Sequence, residues 1–423
     1  MKHKMAVRSW VLVVASLCSN LSASWAASIT NADTGGSLTL PASWVGHQAP
    51  ESSDVAVWAT NLTSGTSALG GAATWAGIQI LRPAAPIVIS ADGNTLTLGA
   101  SGIDMSLATN SLTLGCMVAL GASQSWNVAS GQTLTVQGTI SGSGNLTKTG
   151  SGKLILSGKD SATGSIAVNG GDFALGASGL VTCPISVAAG ATFDVSQNSV
   201  FNLIPNQSLS GSGTVVGPLS ALHDATISPG GAGTAGTLTI SNGLTEFGGV
   251  NGVTNLFALS NPGGSNDLLS VIGDLDLNNT NTITLSEFGG GAIPFGTYPL
   301  ITYTGSLIGG TTNFTITPVG VSAMLTNITT VVPHVIAVIL SPASLPVISS
   351  AVLNTAGTSI TLSATNGTAL RLAVVLTSPD IALPFTGWTP VATNNFNGAG
   401  NLLNLPVPAS PTATQQYYVI EEY

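Results

Sequence analysis

The side chains able to do acid–base chemistry are few enough to weigh one by one. Asp274 and Asp276 stand two apart in Gly273-Asp-Leu-Asp-Leu, so a strand there puts both carboxylates on one face and Leu275 and Leu277 on the other. Glycoside hydrolysis needs two carboxylates facing one sugar bond, while the bland reading of this pair is a solvated outer face. A polysaccharide lyase needs a basic group with cations that neutralise the substrate, and Lys148, Lys153 and Lys159 form the one cluster of that type. Lys148 falls in a repeated pattern, so structure accounts for it, and Lys153 and Lys159 are expected in solvent. His47, His223 and His334 stand singly, with no pair at metal-ligand spacing. Gly142-Ser-Gly and Gly211-Ser-Gly read as turns, because no helix is expected to follow a strand and make a nucleophile elbow or a phosphate cradle. No catalytic, cofactor-binding or metal-binding residue is therefore assigned. Trp44, Trp58, Trp75 and Trp126 could offer flat faces to sugar rings, and packing in an N-terminal cap and a core is the preferred alternative.

The elements that would position these groups are strands. Alternation of period two appears in Thr95-Leu-Thr-Leu, Ser111-Leu-Thr-Leu, Thr133-Leu-Thr-Val, Lys153-Leu-Ile-Leu, Asp172-Phe-Ala-Leu, Thr192-Phe-Asp-Val and Thr237-Leu-Thr-Ile, each a half-buried strand. Their second residues fall at 96, 112, 134, 154, 173, 193 and 238, at intervals of 16, 22, 20, 19, 20 and 45, the last about two periods. A period near 20 with Gly, Asn or Ser at the breaks marks a solenoid whose coils stack strand on strand. An antiparallel sandwich is the alternative, because shorter strands occur between the markers at 138–140 and 165–168. Apolar residues recurring at coil spacing favour the parallel β-helix, with Thr, Ser and Asn ladders outside. Cys116 and Cys183 are then three coils apart, on the order of 15 Å at ~4.8 Å per coil, too far for a disulfide.

Composition agrees with this reading. Of 423 residues only 6% are charged, against roughly 25% in an ordinary soluble domain, and 52 are glycine. Exposed helices need Lys, Glu, Arg or Gln, so the composition argues against a helical enzyme. The formal charge of −9 and the absence of a basic stripe exclude a nucleic-acid partner. Lys2, Lys4 and Arg8, an apolar stretch over 10–18 and Ser24-Trp-Ala read as a signal peptide over 1–26, cut after Ala26. Without it five Lys/Arg face seventeen Asp/Glu, a formal charge of −12. The longest later apolar run, 335–340, is far short of the ~20 residues of a spanning helix.

The run Gly-Thr-Ile-Ser-Gly-Ser-Gly-Asn-Leu-Thr-Lys-Thr-Gly-Ser-Gly-Lys-Leu-Ile-Leu-Ser-Gly beginning at Gly138 resembles the autotransporter-associated β-strand repeat of large secreted bacterial proteins. Gly142, Gly144, Leu146, Lys148, Gly150, Gly152, Leu154, Leu156 and Gly158 fall on its Gly-x-Gly-x-Leu-x-Lys-x-Gly-x-Gly-x-Leu-x-Leu-x-Gly core, and the clearest copy covers 138–176. Lys159-Asp-Ser replaces the Asn-Thr-Tyr common after that core, and Leu209-Ser-Gly-Ser-Gly-Thr-Val-Val-Gly is a second, eroded copy. The stretches from Ser228, Asn266, Gly273 and Gly296 are similar to the segment closing such β-helices, and that around Trp44, Pro50, Asp54 and Trp58 to their opening, where aromatics cap the first coil. The resemblance implies a right-handed parallel β-helix exposed at the cell surface, and no activity.

An autotransporter of this kind ends in a barrel of roughly a dozen strands. Here fewer than 80 residues follow Leu345, and they read as a small β-sandwich of six or seven strands behind a Pro/Ser linker. The expected organisation is a leader over 1–26, a β-helix over 27–340, a linker over 341–346 and a sandwich over 347–423. The expected function is that of a non-catalytic secreted or cell-surface structural or adhesion protein, with surface glycans or envelope proteins as partners and no cofactor. The alternatives are a polysaccharide lyase or glycosidase and a carbohydrate-binding protein on the same scaffold. A groove lined by two carboxylates within ~10 Å would revive the enzyme.

Overall fold

The computed structural model of the protein describes residues 27–60, 65–231, 233–248, 251–317, 321–341, 346–367 and 369–422. The leader expected over 1–26, and residues 342–345 of the expected linker, lie outside the described residues. Among the described residues there are sheets of 15, 13 and 5 strands, followed by two sheets of three. Short strands alternate between the two large sheets along the chain: Leu146–Thr149 joins the 15-stranded sheet, Lys153–Leu156 the 13-stranded one, Ile166–Val168 the first again and Asp172–Leu175 the second. Each pairs in parallel with its equivalents one coil before and after. This is a parallel β-helix.

Stacking in register shows why the alternating segments form it. One inward column in the 13-stranded sheet runs Ile87, Leu112, Leu134, Leu154, Phe173, Phe193, Val215, Ile240, Val271 and Tyr303, and every member is buried. Burial of such a side chain contributes ~1.5–3 kcal/mol, so identical placement in each coil adds up along the rod. Phe173 and Phe193 lie ring on ring, with centroids 5.3 Å apart and planes 13° from parallel. The neighbouring outward column is polar, running Thr133, Lys153, Asp172, Thr192, Thr214, Thr239, Ser270 and Thr302. Hydroxyl ladders of this kind keep a chain of few charges hydrated.

Two details differ from the sequence reading. Leu96 lies in Thr95–Leu107 of the 15-stranded sheet and pairs with Val118, so the 16-residue interval from 96 to 112 crosses between faces. Alternation looks alike on either face, and spacing alone did not separate them. Coil length also changes: register partners are 19–22 residues apart from Leu112 to Val215, then 25, 31 and 32 apart to Ile240, Val271 and Tyr303. The extra residues fall mainly between strands of the two large sheets, as between Thr254–Leu259 and Leu268–Val271 and between Asn281–Glu287 and Gly296–Tyr303, while the five-stranded third sheet is made of Phe201–Leu203, Leu219–Ala221, Leu244–Phe247, Leu275–Asn278 and Leu307–Ile308.

The two ends of the stack are built differently, at positions where an exposed strand edge can recruit another chain. Near the start, the 3-10 turn Pro41–Ser43 sets Trp44 over the first coils, its indole N–H donating to the Leu38 carbonyl at 2.8 Å. Trp44 meets Trp58 and Trp75 at 5.7 and 5.8 Å between ring centroids, edge to face. At the far end the antiparallel strands His334–Ser341 and Ser322–Ile328 close the 13-stranded sheet. The apolar run over 335–340 is thus a sheet strand, and no helix among the described residues is long and apolar enough to cross a membrane. Beyond it, Val347–Leu353, Ser359–Thr365 and Leu402–Pro408 form one antiparallel sheet, and Thr389–Asn395, Leu372–Ser378 and Tyr417–Glu422 form another. They share a separate core of Leu362, Ala364, Val375, Phe396, Val407 and Ile420. Arg371 holds its guanidinium 4.2 Å from the Phe295 ring centroid, joining these sheets to the last coils.

Candidate functional site

The repeat residues, Gly142 to Gly158, occupy most of one coil. Leu146, Leu154 and Leu156 point into the core. A Cβ on Gly142, Gly144, Gly150, Gly152 or Gly158 would overlap a backbone carbonyl of the preceding coil, so these corners are where one coil rests on the next. Lys148 also points inward, against Trp126 of the coil before and Val168 of the coil after, and is fully buried. Its ammonium donates to the carbonyls of Thr149, Gly150 and Gly170 at 2.8, 2.9 and 3.1 Å. Burial pushes its pKa down to about 8 against the opposing pull of Asp172, while three carbonyl acceptors match the three donors of the charged form. Lys148 is a clamp on two coil corners and faces no solvent.

The other members of the lysine cluster point elsewhere. Lys153 makes a 3.1 Å ion pair with Asp194 on the outer face, and Lys159 is exposed. The three do not converge. Trp44, Trp58, Trp75 and Trp126 are all at most 1% exposed, so none offers a ring to a sugar, and packing accounts for each. Cys116 and Cys183 are free and buried; burial pushes their thiols up to about 11 and about 12, with the Asp160 carboxylate adding to the second.

Asp274 and Asp276 do lie together. The outward row of the third sheet runs Asn202, Ser220, Thr245, Asp276 and Ile308, with Leu275 and Leu277 buried behind it. The preceding turns, Asn242-Gly243 and Gly273-Asp274, stack on one another, the Leu244 N–H donating to the Asp274 carbonyl at 3.0 Å. The result is an open groove of about 410 Å³ whose lining includes Asn242, Thr245, Asp274 and Asp276, flanked by Val200 and Ile308. Val200 and Ile308 are each nearly half exposed. Asp274 accepts the Ser306 N–H on Oδ1 at 2.7 Å. Asp276 Oδ1 is covered from water and has no hydrogen-bond partner, and the same is true of Ser220 Oγ. Buried polar atoms are usually paired, so two unpaired ones in a single row stand out.

Over 175 residues, 41% of the chain, the sequence is 33% identical to the adhesin BmaC autotransporter of Brucella suis biovar 1 (strain 1330). The chain is similar to an autotransporter adhesin. The match spans 5% of the length of that relative. No family model matches the chain.

Sequence reasoning passed over several groups that the structure brings forward. Glu246 is fully buried and its carboxyl is bonded to the Asn255 amide at 3.1 Å; burial pushes it up to about 8, the Asn255 bond pulling the other way. The signal was there in Leu244-Thr-Glu-Phe, whose alternation turns Leu244 and Glu246 inward together. Ser220 and Thr245 carried no signal of their own, since their row exists only through the pairing of strands 25 to 31 residues apart.

Proposed function

We propose that this is a non-catalytic secreted or cell-surface protein of the adhesion type, in which the β-helix is a stiff stalk and its outer face makes the contacts. The similarity to an autotransporter adhesin over 41% of the chain carries the reading. The buried column supports it as well, because it fills the interior of the rod with packed side chains and leaves recognition to the surface. Partners of the class of surface glycans or envelope proteins fit an outer face of hydroxyls and amides. Beads coated with the full chain should adhere to a cultured epithelial layer well above beads coated with an inert protein. Equal retention of the two would remove the reading.

A second reading, polysaccharide hydrolysis, is favoured by the placement of Asp274 and Asp276 in one groove. Against it, both carboxylates rise from one strand and its entry turn and point the same way, whereas hydrolysis sets its two carboxyl groups on either side of the scissile bond. Release of reducing ends from a polysaccharide panel, abolished by Asp276→Asn, would establish hydrolysis in place of adhesion.

A further inference from the structure

We infer that the groove on the third sheet is a binding site for non-anionic pyranose oligosaccharides, a proposal that rests on the adhesion reading and names its ligand. Three observations lead there. First, the groove holds hydrogen-bonding groups that the fold does not use. Asn242, Thr245, Asp274 and Asp276 line it, and Asp276 Oδ1 makes no hydrogen bond within the protein; Ser220, 3% exposed in the same row, is not part of the lining. Several other aspartates on this rod are spent on nearby backbone: Asp92 on Asn94, Asp104 on Ser106, Asp194 on Ser196. Acceptors left unpaired in a cleft match a ligand rich in O–H donors, and vicinal sugar hydroxyls can donate in pairs to a carboxylate.

Second, size and apolar lining fit a sugar. The volume of about 410 Å³ lies in the ~300–1,000 Å³ range of small-ligand clefts. Val200 and Ile308 present aliphatic surface on which the C–H face of a pyranose can rest, while Asn242 adds an amide with both donor and acceptor. Third, charge selects among sugars. Two carboxylates line the groove and no Lys or Arg does among the described residues, in a chain with seventeen acidic residues against eight basic ones. Uronates, sulfated sugars and sialosides are repelled at short range. Neutral hexoses and N-acetylhexosamines are admitted.

The test uses the full chain against immobilised neutral oligosaccharides (glucose-, mannose-, galactose- and N-acetylglucosamine-based) and acidic ones (hyaluronan, heparin, sialyllactose). The expected result is binding to at least one neutral series and to no acidic one. Asp276→Ala should weaken it about tenfold or more, and Thr245→Val should weaken it by a smaller factor. Both variants should keep the parent melting temperature, since each side chain lies outside the core. Binding of acidic sugars alone, of no sugar, or binding unchanged in both variants overturns the proposal. If the coated beads still adhere in any of those cases, the groove assignment fails and the adhesion reading survives; if they do not, both fail.

Discussion

Glu246 and Asn255 face each other inside the rod, the Asn255 amide donating to Glu246 Oε2 at 3.1 Å while Glu246 Oε1 and Asn255 Oδ1 are both buried acceptors without a donor. One proton serves both: a protonated Glu246 donates where an ionised one cannot. This agrees with the carboxyl being pushed up to about 8 by burial. The unfolded chain ionises this group at its ordinary 4.5, so between these values the folded protein holds the extra proton. Stability from this group is therefore complete below about 4.5, declines as pH rises, and levels off above about 8. The loss is on the order of 3–5 kcal/mol. Lys148, whose pKa is lowered, acts with the opposite sign above about 8, so the comparison belongs below that pH. Denaturant unfolding at pH 5 and pH 7 should show a decline in the parent that is largely absent in Glu246→Gln, and parallel curves would refute the pairing.

Lys148 gives a prediction of the reverse kind. Replacing it with Ala leaves the carbonyls of Thr149, Gly150 and Gly170 without their donor and opens a void beside Trp126. Unpaired buried acceptors and a cavity should together cost about 3–5 kcal/mol by denaturant unfolding. A cost under about 1 kcal/mol would mean that the ammonium is not seated where the structure has it.

Glycine substitutions separate coil contact from turn conformation. Gly150 has φ of 72° and a Cβ there would overlap the Val128 carbonyl, whereas Gly93, with φ of 79°, has nothing within 4 Å. Gly93→Ala should cost about 1 kcal/mol, for backbone strain alone, and Gly150→Ala about 3 kcal/mol or more. Equal costs in thermal melts would deny that the coils touch at this corner.

The thiols of Cys116 and Cys183 are buried and pushed far above neutral pH. Neither should react with a thiol reagent at pH 8 until denaturant is added, after which peptide mapping should find both modified. Modification of either in the native protein would place it at the surface.

How much of this was legible beforehand can be judged from particular positions. Leu134, Leu154, Phe173 and Phe193 were marked by alternation at a constant interval, and they stack as direct neighbours. Local pattern sufficed because each coil repeats the environment of the one below. The residues after the linker read as a small β-sandwich, and two antiparallel sheets of three strands stand there. Leu96 was set in the wrong column because the two sheets share one pattern. Asp274 and Asp276 could be placed side by side on an outer face from their spacing, but their groove partners Thr245, Asn242 and Val200 come from other coils. Such a site is a property of register, which one sequence does not display. Lys148 was recognised as part of a pattern, and its inward direction follows from Leu146 two residues before it, yet the three carbonyls it serves became visible only with coordinates.

The register itself is the claim on which the stalk, its buried column and its groove all depend. Thr113 and Thr135 are partners on adjacent coils of the 13-stranded sheet, and Ile155 lies one coil further. Adjacent coils separate by ~4.8 Å, within reach of a disulfide, and two coils by ~9.6 Å, beyond it. With Cys116 and Cys183 replaced by Ala, the pair Thr113→Cys with Thr135→Cys should oxidise to an intramolecular disulfide in the native protein, and Thr113→Cys with Ile155→Cys should not. Bridging of the distant pair, or failure of the adjacent pair in protein that is otherwise folded, would contradict the stacked arrangement.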